Sequence, residues 1–139
     1  MSNFNNVYQG KTVLVTGHTG FKGSWLSIWL TMLGAKVVGY ALEPYSKKSN
    51  YCASHLEKHL FADIKGDVRD SKKLEETIEK YKVDIIFHLA AQALVRTAYD
   101  NPKYTYETNV MGSLNILEAT RKFDHVKTVA QKKILHTDI

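Results

Sequence analysis

The chain has 139 residues, 44% of them hydrophobic and 24% charged, enough for one domain with its own core and too apolar for a disordered segment. Lys and Arg number 19 against 14 Asp and Glu, which gives a net charge of +5 and a pI near 9.2. The basic residues lie scattered in pairs such as Lys47-Lys48 and Lys72-Lys73, with no interleaved aromatics, so a solvated surface or a small anionic ligand fits better than nucleic acid.

Residues 11–16, KTVLVT, form a short apolar run rich in β-branched residues and read as a buried strand. Phe21, Trp25, Ile28, Trp29 and Met32 then recur at helical spacing, which predicts a helix that packs this face on the sheet. Gly34 can close it. Residues 36–41, KVVGYA, read as a second strand. Pro44, Ser46, Ser49 and Asn50 mark a loop, with room for a short helix over 51–58. A weak third strand lies within 61–68. Asp70 or Ser71 caps a helix to Tyr81 that turns Leu74 and Ile78 inward. Residues 83–89, VDIIFHL, are a fourth strand. Asp100-Asn101-Pro102 opens a longer helix to about Lys122, with Tyr106, Val110, Leu114 and Leu117 as its apolar set. Residues 126–130 can begin a fifth strand, which leaves a sheet edge with little to cover it.

Strands separated by helices imply parallel pairing with right-handed crossovers. The expected fold is α/β, an open, doubly wound parallel sheet of the Rossmann kind. Its glycine turn carries the clearest chemistry. Residues 17–23 read GHTGFKG and join the first strand to the first helix. Gly17 permits a sharp turn, Gly20 lets backbone approach a pyrophosphate, and Gly23 lets the helix pack close to the sheet. The helix N-terminus adds free N–H groups and a positive dipole. The whole segment, Gly17, His18, Thr19, Gly20, Phe21, Lys22 and Gly23, is the candidate cofactor-binding turn. His18 and Lys22 are either positive charges beside the phosphates or plain exposed loop residues. Ala41 stands where an acid for the adenosine ribose is expected, and Glu43 follows two residues later. This strand end therefore selects neither NAD nor NADP.

The lone cysteine, Cys52, excludes an internal disulfide framework and suits a reducing compartment. The longest apolar stretch, 24–35, contains Ser24, Ser27 and Thr31 and is too short and mixed for a membrane span. Residues 1–11 have no apolar signal core. A soluble, cytoplasmic protein without membrane or nucleic-acid partners is expected. His55, His59, His88, His125 and His136 show no metal-ligand spacing, and no metal is assigned.

Four segments in order resemble the extended short-chain dehydrogenase/reductase family: the 17–23 turn with Thr16 before it, Gly66-Asp67-Val68-Arg69-Asp70, His88-Leu89-Ala90-Ala91-Gln92, and Thr108-Asn109-Val110-Met111-Gly112. Residues 17–27 and 88–96, followed by Tyr99, are similar to the CDP-glucose 4,6-dehydratase group within it. Over residues 8–125 the resemblance implies the N-terminal part of an NAD-binding domain, with NADP not excluded. It implies a lyase of nucleotide-sugar metabolism that oxidises C4 of a nucleotide-linked glucose, eliminates water across C5 and C6 and leaves a 4-keto-6-deoxy sugar. A GDP-mannose 4,6-dehydratase or a related epimerase is the neighbouring alternative, and a standalone dinucleotide-binding module is another. Carried over by position, Asp67 and Val68 would frame the adenine. Leu89, Ala90 and Ala91 would line the cofactor, and Thr108 would approach it. Gln92 and Arg96 would lie on the sugar side. A family-like homodimer is compatible. Asn109 reads as structural, its amide bridging backbone groups between helix and strand.

The resemblance fails where chemistry would begin. The family's Tyr-x-x-x-Lys pair, in which Lys lowers the pKa of the Tyr base, is expected further on. Tyr99 with Lys103 has the spacing but precedes Thr108-Asn109 and is read as coincidence, so no catalytic residue is assigned. Residues 126–139 form a tail unlike the family, and the chain is expected to be an inactive N-terminal fragment.

Overall fold

A computed structural model describes residues 3–131. Five strands run β1 (Thr12–Thr16), β2 (Lys36–Ala41), β3 (Ala62–Lys65), β4 (Ile85–His88) and β5 (Thr128–Gln131). They form one sheet in the order β3-β2-β1-β4-β5, parallel at every pairing. Leu14 on β1 lies in register with Val38 on β2 and Ile86 on β4, so the central strands align aliphatic residues across the sheet. The rest of the tail, residues 132–139 with His136, lies outside the described residues.

Both faces of the sheet are covered, as the continuous apolar runs require. On one face, Leu14, Val38, Tyr40 and Ile86 pack with Leu74 and Ile78 of α3 (Ser71–Lys80) and Ile116 of α6 (Gly112–Lys122). On the other, Val13, Val15 and Val37 pack with Leu30 of α1 (Phe21–Met32). The helix α3 begins as expected, with Asp70 accepting a hydrogen bond from the Lys73 N–H. The 43–59 region holds a short helix α2 (Asn50–Ala53), capped by Ser49, and a single tight turn over Leu56–Lys58.

Helix α1 does not bury the face its periodicity predicts. Phe21, Trp25 and Met32 are exposed, and Trp29 is 51% exposed, while Gly23, Ser24, Ser27 and Leu30 face the sheet. The buried serines carry no unpaired hydroxyl: Ser24 Oγ donates to the Phe21 carbonyl and Ser27 Oγ to the Gly23 carbonyl. Small residues let the helix sit close on β1 and β2. That closeness, and not the size of the apolar side chains, sets its rotation.

The expected helix from 100 to about 122 runs without a break from Pro102 to Lys122, with one wide turn inside it, and a separate short helix precedes it. A helix α4 (Val95–Asp100) ends at Asn101, whose extended backbone precedes Pro102. Asn101 then caps α5 (Pro102–Tyr106) by accepting from the Tyr104 N–H. One wide turn, Glu107–Met111, joins α5 to α6. It turns Thr108 inward, and α6 follows with Gly112, Ser113, Ile116 and Ala119 buried. Tyr106, Val110, Leu114 and Leu117, the apolar set expected inside, lie outside. Polar anchoring explains the phase. Ser113 Oγ sits 3.1 Å from His88 Nε2, and the Asn109 side chain accepts from the Gln92 N–H and donates to the Gln92 carbonyl. Asn109 thus bridges helix and strand end, as its residue type suggested.

Candidate functional site

The strand order reverses between β2-β1 and β4-β5, and a crevice opens at the C-terminal ends of these strands. Gly17, Thr19 and Gly20 form one wall, and Ala41, Leu42, Gly66, Asp67 and Val68 close one end. Leu89, Ala90 and Ala91 line the β4 side, with Tyr104 and Thr108 above them. The cleft has a volume of about 180 Å³.

The glycines shape the turn. Gly17 has φ +76°, and a Cβ there would lie 2.8 Å from the Ala90 nitrogen, so any side chain would both strain the turn and strike the opposite wall. A Cβ on Gly20 meets only the Gly17 carbonyl at 3.3 Å, so Gly20 leaves open space on the cleft side. Gly20 is also the N-cap of α1 and offers no side-chain cap, which leaves the first-turn N–H groups of a 12-residue helix free for an anion.

The β4 wall is fixed by a buried network. Thr16 Oγ1 accepts from the Leu89 and Ala90 N–H groups, each at 3.2 Å. Its own proton is then directed at His88 Nδ1, 2.7 Å away. That makes His88 the Nε2–H tautomer, donating to Ser113 Oγ, which in turn donates to the Asn109 carbonyl. Burial holds the His88 imidazolium down to a pKa of about 4, so the ring is neutral near pH 7.

Thr108 Oγ1 is buried and finds no hydrogen-bond partner among the described residues, and its residue lines the cleft. An unpaired buried hydroxyl costs on the order of 1–3 kcal/mol, which a polar ligand in the cleft relieves. The glycine cradle, the free helix N-terminus and this hydroxyl together fit an elongated, anionic, hydroxyl-rich ligand.

Nine of the sequence-derived residues line the cleft: Gly17, Thr19, Gly20, Asp67, Val68, Leu89, Ala90, Ala91 and Thr108. Others do not. The His18 side chain is a correction: it is wholly buried under Gly39, with Nε2 2.7 Å from Asp63 Oδ1, and burial lowers its pKa despite that carboxylate. It supplies no charge to the cleft. Phe21 and Lys22 are exposed outside the lining, and Gly23 lies beneath the turn. Gln92 donates its side-chain N–H groups to the Leu94 carbonyl and Thr105 Oγ1. Arg96 is 95% exposed and 4.0 Å from Asp100. Neither reaches the cleft. Tyr99 is 78% exposed on α4, and Lys103 on α5 pairs with Glu107 at 3.7 Å, so the two form no base pair for catalysis. Sequence reading missed Leu42 and Tyr104 as wall residues. Leu42 follows Ala41 at the marked strand end, and Tyr104 lies in the first turn of the helix that Asn101 and Pro102 open. Among the described residues no cluster of His, Cys, Asp and Glu is placed to hold a metal, and no helix is long and apolar enough to cross a membrane.

Comparison with known proteins agrees with this geometry. Residues 14–137 match the family profile of GDP-mannose 4,6 dehydratase. The chain is 49% identical over 124 residues to a CDP-glucose 4,6-dehydratase of Salmonella typhimurium, covering 89% of this chain and 34% of that one. It is 35% identical over 114 residues to a CDP-paratose 2-epimerase of Salmonella typhi, covering 81% and 33%. The structure superposes on the UDP-glucose 4-epimerase of Brucella ovis in complex with NAD at a TM-score of 0.74 and 29% identity, covering 88% of this chain and 35% of the other. The Thermus thermophilus UDP-glucose 4-epimerase complex with NAD gives 0.72 and 30%, covering 84% and 36%. The chain spans about a third of the length of the curated relatives it matches. It belongs to the GDP-mannose 4,6 dehydratase family of nucleotide-sugar enzymes and corresponds to the N-terminal portion of such a protein.

Proposed function

We propose that this chain is the NAD-binding portion of a CDP-glucose 4,6-dehydratase, a cytoplasmic lyase acting on a nucleotide sugar. The observation that carries the cofactor is the cleft: a glycine turn open at Gly20, a free helix N-terminus and the unpaired Thr108 hydroxyl face one space. The 49% identity to the Salmonella dehydratase supports the CDP-glucose class over its GDP-mannose relatives. In this reading Gly17 and Gly20 hold the pyrophosphate, with the α1 N-terminus behind them. Asp67 and Val68 frame the base, Leu89–Ala91 support the ribose and nicotinamide side, and Thr108 hydrogen-bonds into it. When bound, the dinucleotide supplies hydride acceptance and return. The residues described here bind and orient, and none of them is placed as a base. The exposed stripe of Tyr106, Val110, Leu114 and Leu117 supports a homodimer through this helix face.

The test is calorimetric titration of the chain with NAD and with NADP. The reading expects saturable NAD binding, weaker for NADP because among the described residues no basic side chain lines the cleft to meet a 2′-phosphate. Failure to bind either dinucleotide overturns it.

A further inference from the structure

We infer that the outward face of α1 is an interface with a second copy of this chain, the two helices packing antiparallel about a two-fold axis. It does not depend on the dinucleotide reading, since no cofactor group takes part.

Helix α1 turns its small residues to the sheet, so its large ones form an outer stripe. Phe21, Trp25, Trp29 and Met32 are each more than half exposed. Trp25, Leu26, Ile28, Trp29 and Met32 line a shallow apolar groove along the helix. Phe4 extends the stripe, its ring set edge-on to Trp29, and is itself more than half exposed. An aromatic side chain carries ~150–250 Å². The open fractions of these four rings therefore leave on the order of 450 Å² of aromatic surface, and Met32 adds to it. That is at the upper end for a monomer, whose largest apolar patch is typically about 300–600 Å². Two such faces bring together about 1,000 Å² or more, where specific protein interfaces begin.

The chemistry of the stripe selects its occupant. From Phe21 to Met32 the only charged residue is Lys22. The face gives a charged partner nothing to pair with, whereas a second copy brings an equally uncharged stripe. The stripe is also its own complement. In an antiparallel pair centred between Trp25 and Ile28, Phe21 of one copy meets Met32 of the other, and each Trp25 enters the other's groove beside Ile28. The helix has 12 residues and is about 18 Å long. Antiparallel packing holds the two Lys22 side chains further apart than the ~8 Å screening length. A parallel pair would set the lysines side by side and align the helix dipoles. Helix α1 packs on the sheet face opposite to α6, so this contact leaves the α6 stripe free.

The experiment reads sedimentation velocity of the full 139-residue chain beside its tryptophan emission. Trp25 and Trp29 are the only tryptophans in the chain, so the spectrum reports on this face alone. The native chain is expected to pass from monomer to dimer in the micromolar range, as suits an interface at the small end of the specific class, with a blue shift that tracks the mass. Added salt should tighten the dimer, because it screens the +5 charge that each copy carries. Met32 is 80% exposed, so a charge there leaves the fold intact. Met32→Lys sets a cation beside the other copy's Lys22 and should weaken dimerisation by about tenfold or more. Met32→Glu meets that lysine with the opposite charge and should stay within about threefold of the native chain. Lys22→Glu added to Met32→Lys should recover most of the loss. A chain that is monomeric at every concentration overturns the inference and assigns the face to a different polypeptide. A mass that rises with an unchanged tryptophan spectrum puts the association elsewhere, as through the α6 stripe, and overturns it too. So do Met32→Lys and Met32→Glu variants that weaken the dimer equally, because the antiparallel pairing then fails.

Discussion

A Cβ on Gly23 would lie 2.1 Å from the carbonyl oxygen of Gly17. The first turn of α1 therefore sits directly on the glycine turn, and no other residue fits there. This contact fixes the rotation of the helix. Ser27 and Leu30, one and two turns on from Gly23, must follow it onto the sheet, and Trp25 and Trp29 must point away. Close backbone approach outranks hydrophobic periodicity in deciding which face is buried.

The two helix faces should respond oppositely to truncation. Leu30 is 1% exposed in the core with Val13, Val15 and Val37. Leu30→Ala is expected to cost about 2–5 kcal/mol. Trp29 is half exposed, and its main aromatic contact is the edge of Phe4, with centroids 5.5 Å apart. Trp29→Ala should cost less than that: about 0.5–1.5 kcal/mol for the aromatic pair, added to the burial of the covered half of the indole. Urea unfolding of both variants checks the order. A Trp29 variant less stable than the Leu30 variant would mean that α1 is turned the other way.

The glycines separate fold from binding in the same manner. Gly20→Val adds a branched side chain on the open side of the turn, at an ordinary backbone conformation. Its far-ultraviolet circular dichroism should match the native chain, with melting lowered modestly by the 3.3 Å approach of the new Cβ to the Gly17 carbonyl, while NAD binding is lost. Gly23→Ala drives a methyl into the Gly17 carbonyl and should melt well below the native chain. Retained NAD binding in Gly20→Val would exclude the turn as the pyrophosphate site.

Acid should destabilise the chain earlier than carboxylate titration alone would. His88 and His18 are buried and neutral, and burial depresses both pKa values below 6.5. The unfolded chain binds these protons first, so stability is full above about pH 6.5 and falls as pH drops toward the folded values. For His88 the interval from 6.5 to about 4 corresponds to on the order of 3 kcal/mol. Urea midpoints measured from pH 7.5 down to 4.5 should fall steadily, and His88→Asn should flatten the slope. An unchanged slope in that variant would show that the Thr16–His88–Ser113 network tolerates a proton.

The strands, their parallel pairing and the cleft floor were legible because they rest on short-range signals. The β1 run, the Gly17 turn and the Asp70 cap each announce themselves within a few residues, and the structure keeps all three. The helix faces were not legible from periodicity. On α1 and α6 the large apolar residues are at helical spacing yet lie outside, because glycine, serine and alanine take the close contacts. His18 misled for a related reason. A histidine in a glycine turn suggests a phosphate contact, but Gly39 across the sheet leaves room that its ring fills, and Asp63 on β3 holds it there. Neither partner is near His18 in sequence.

The last expectation concerns turnover. The isolated 139-residue chain should not convert CDP-glucose to the 4-keto-6-deoxy product, even where it binds NAD. Removing the proton from the C4 hydroxyl needs a positioned base, and loss of such a base costs about 10²–10⁴-fold in rate. The only Tyr and Lys at the required spacing are Tyr99, exposed on α4, and Lys103, on α5 beyond the break at Asn101 and paired with Glu107. No described wall of the cleft carries a residue that would hold the sugar, since Gln92 and Arg96 are engaged elsewhere or face solvent. Lost positioning is worth a further ~7–11 kcal/mol of barrier in favourable cases. Incubating the chain with CDP-glucose and NAD, and following the alkaline absorbance of the 4-keto sugar, should give the same trace as Gly20→Val. Turnover in the native chain that disappears in Gly20→Val would mean that this portion supplies its own base, and Tyr99→Phe would then identify or exclude Tyr99 as that group.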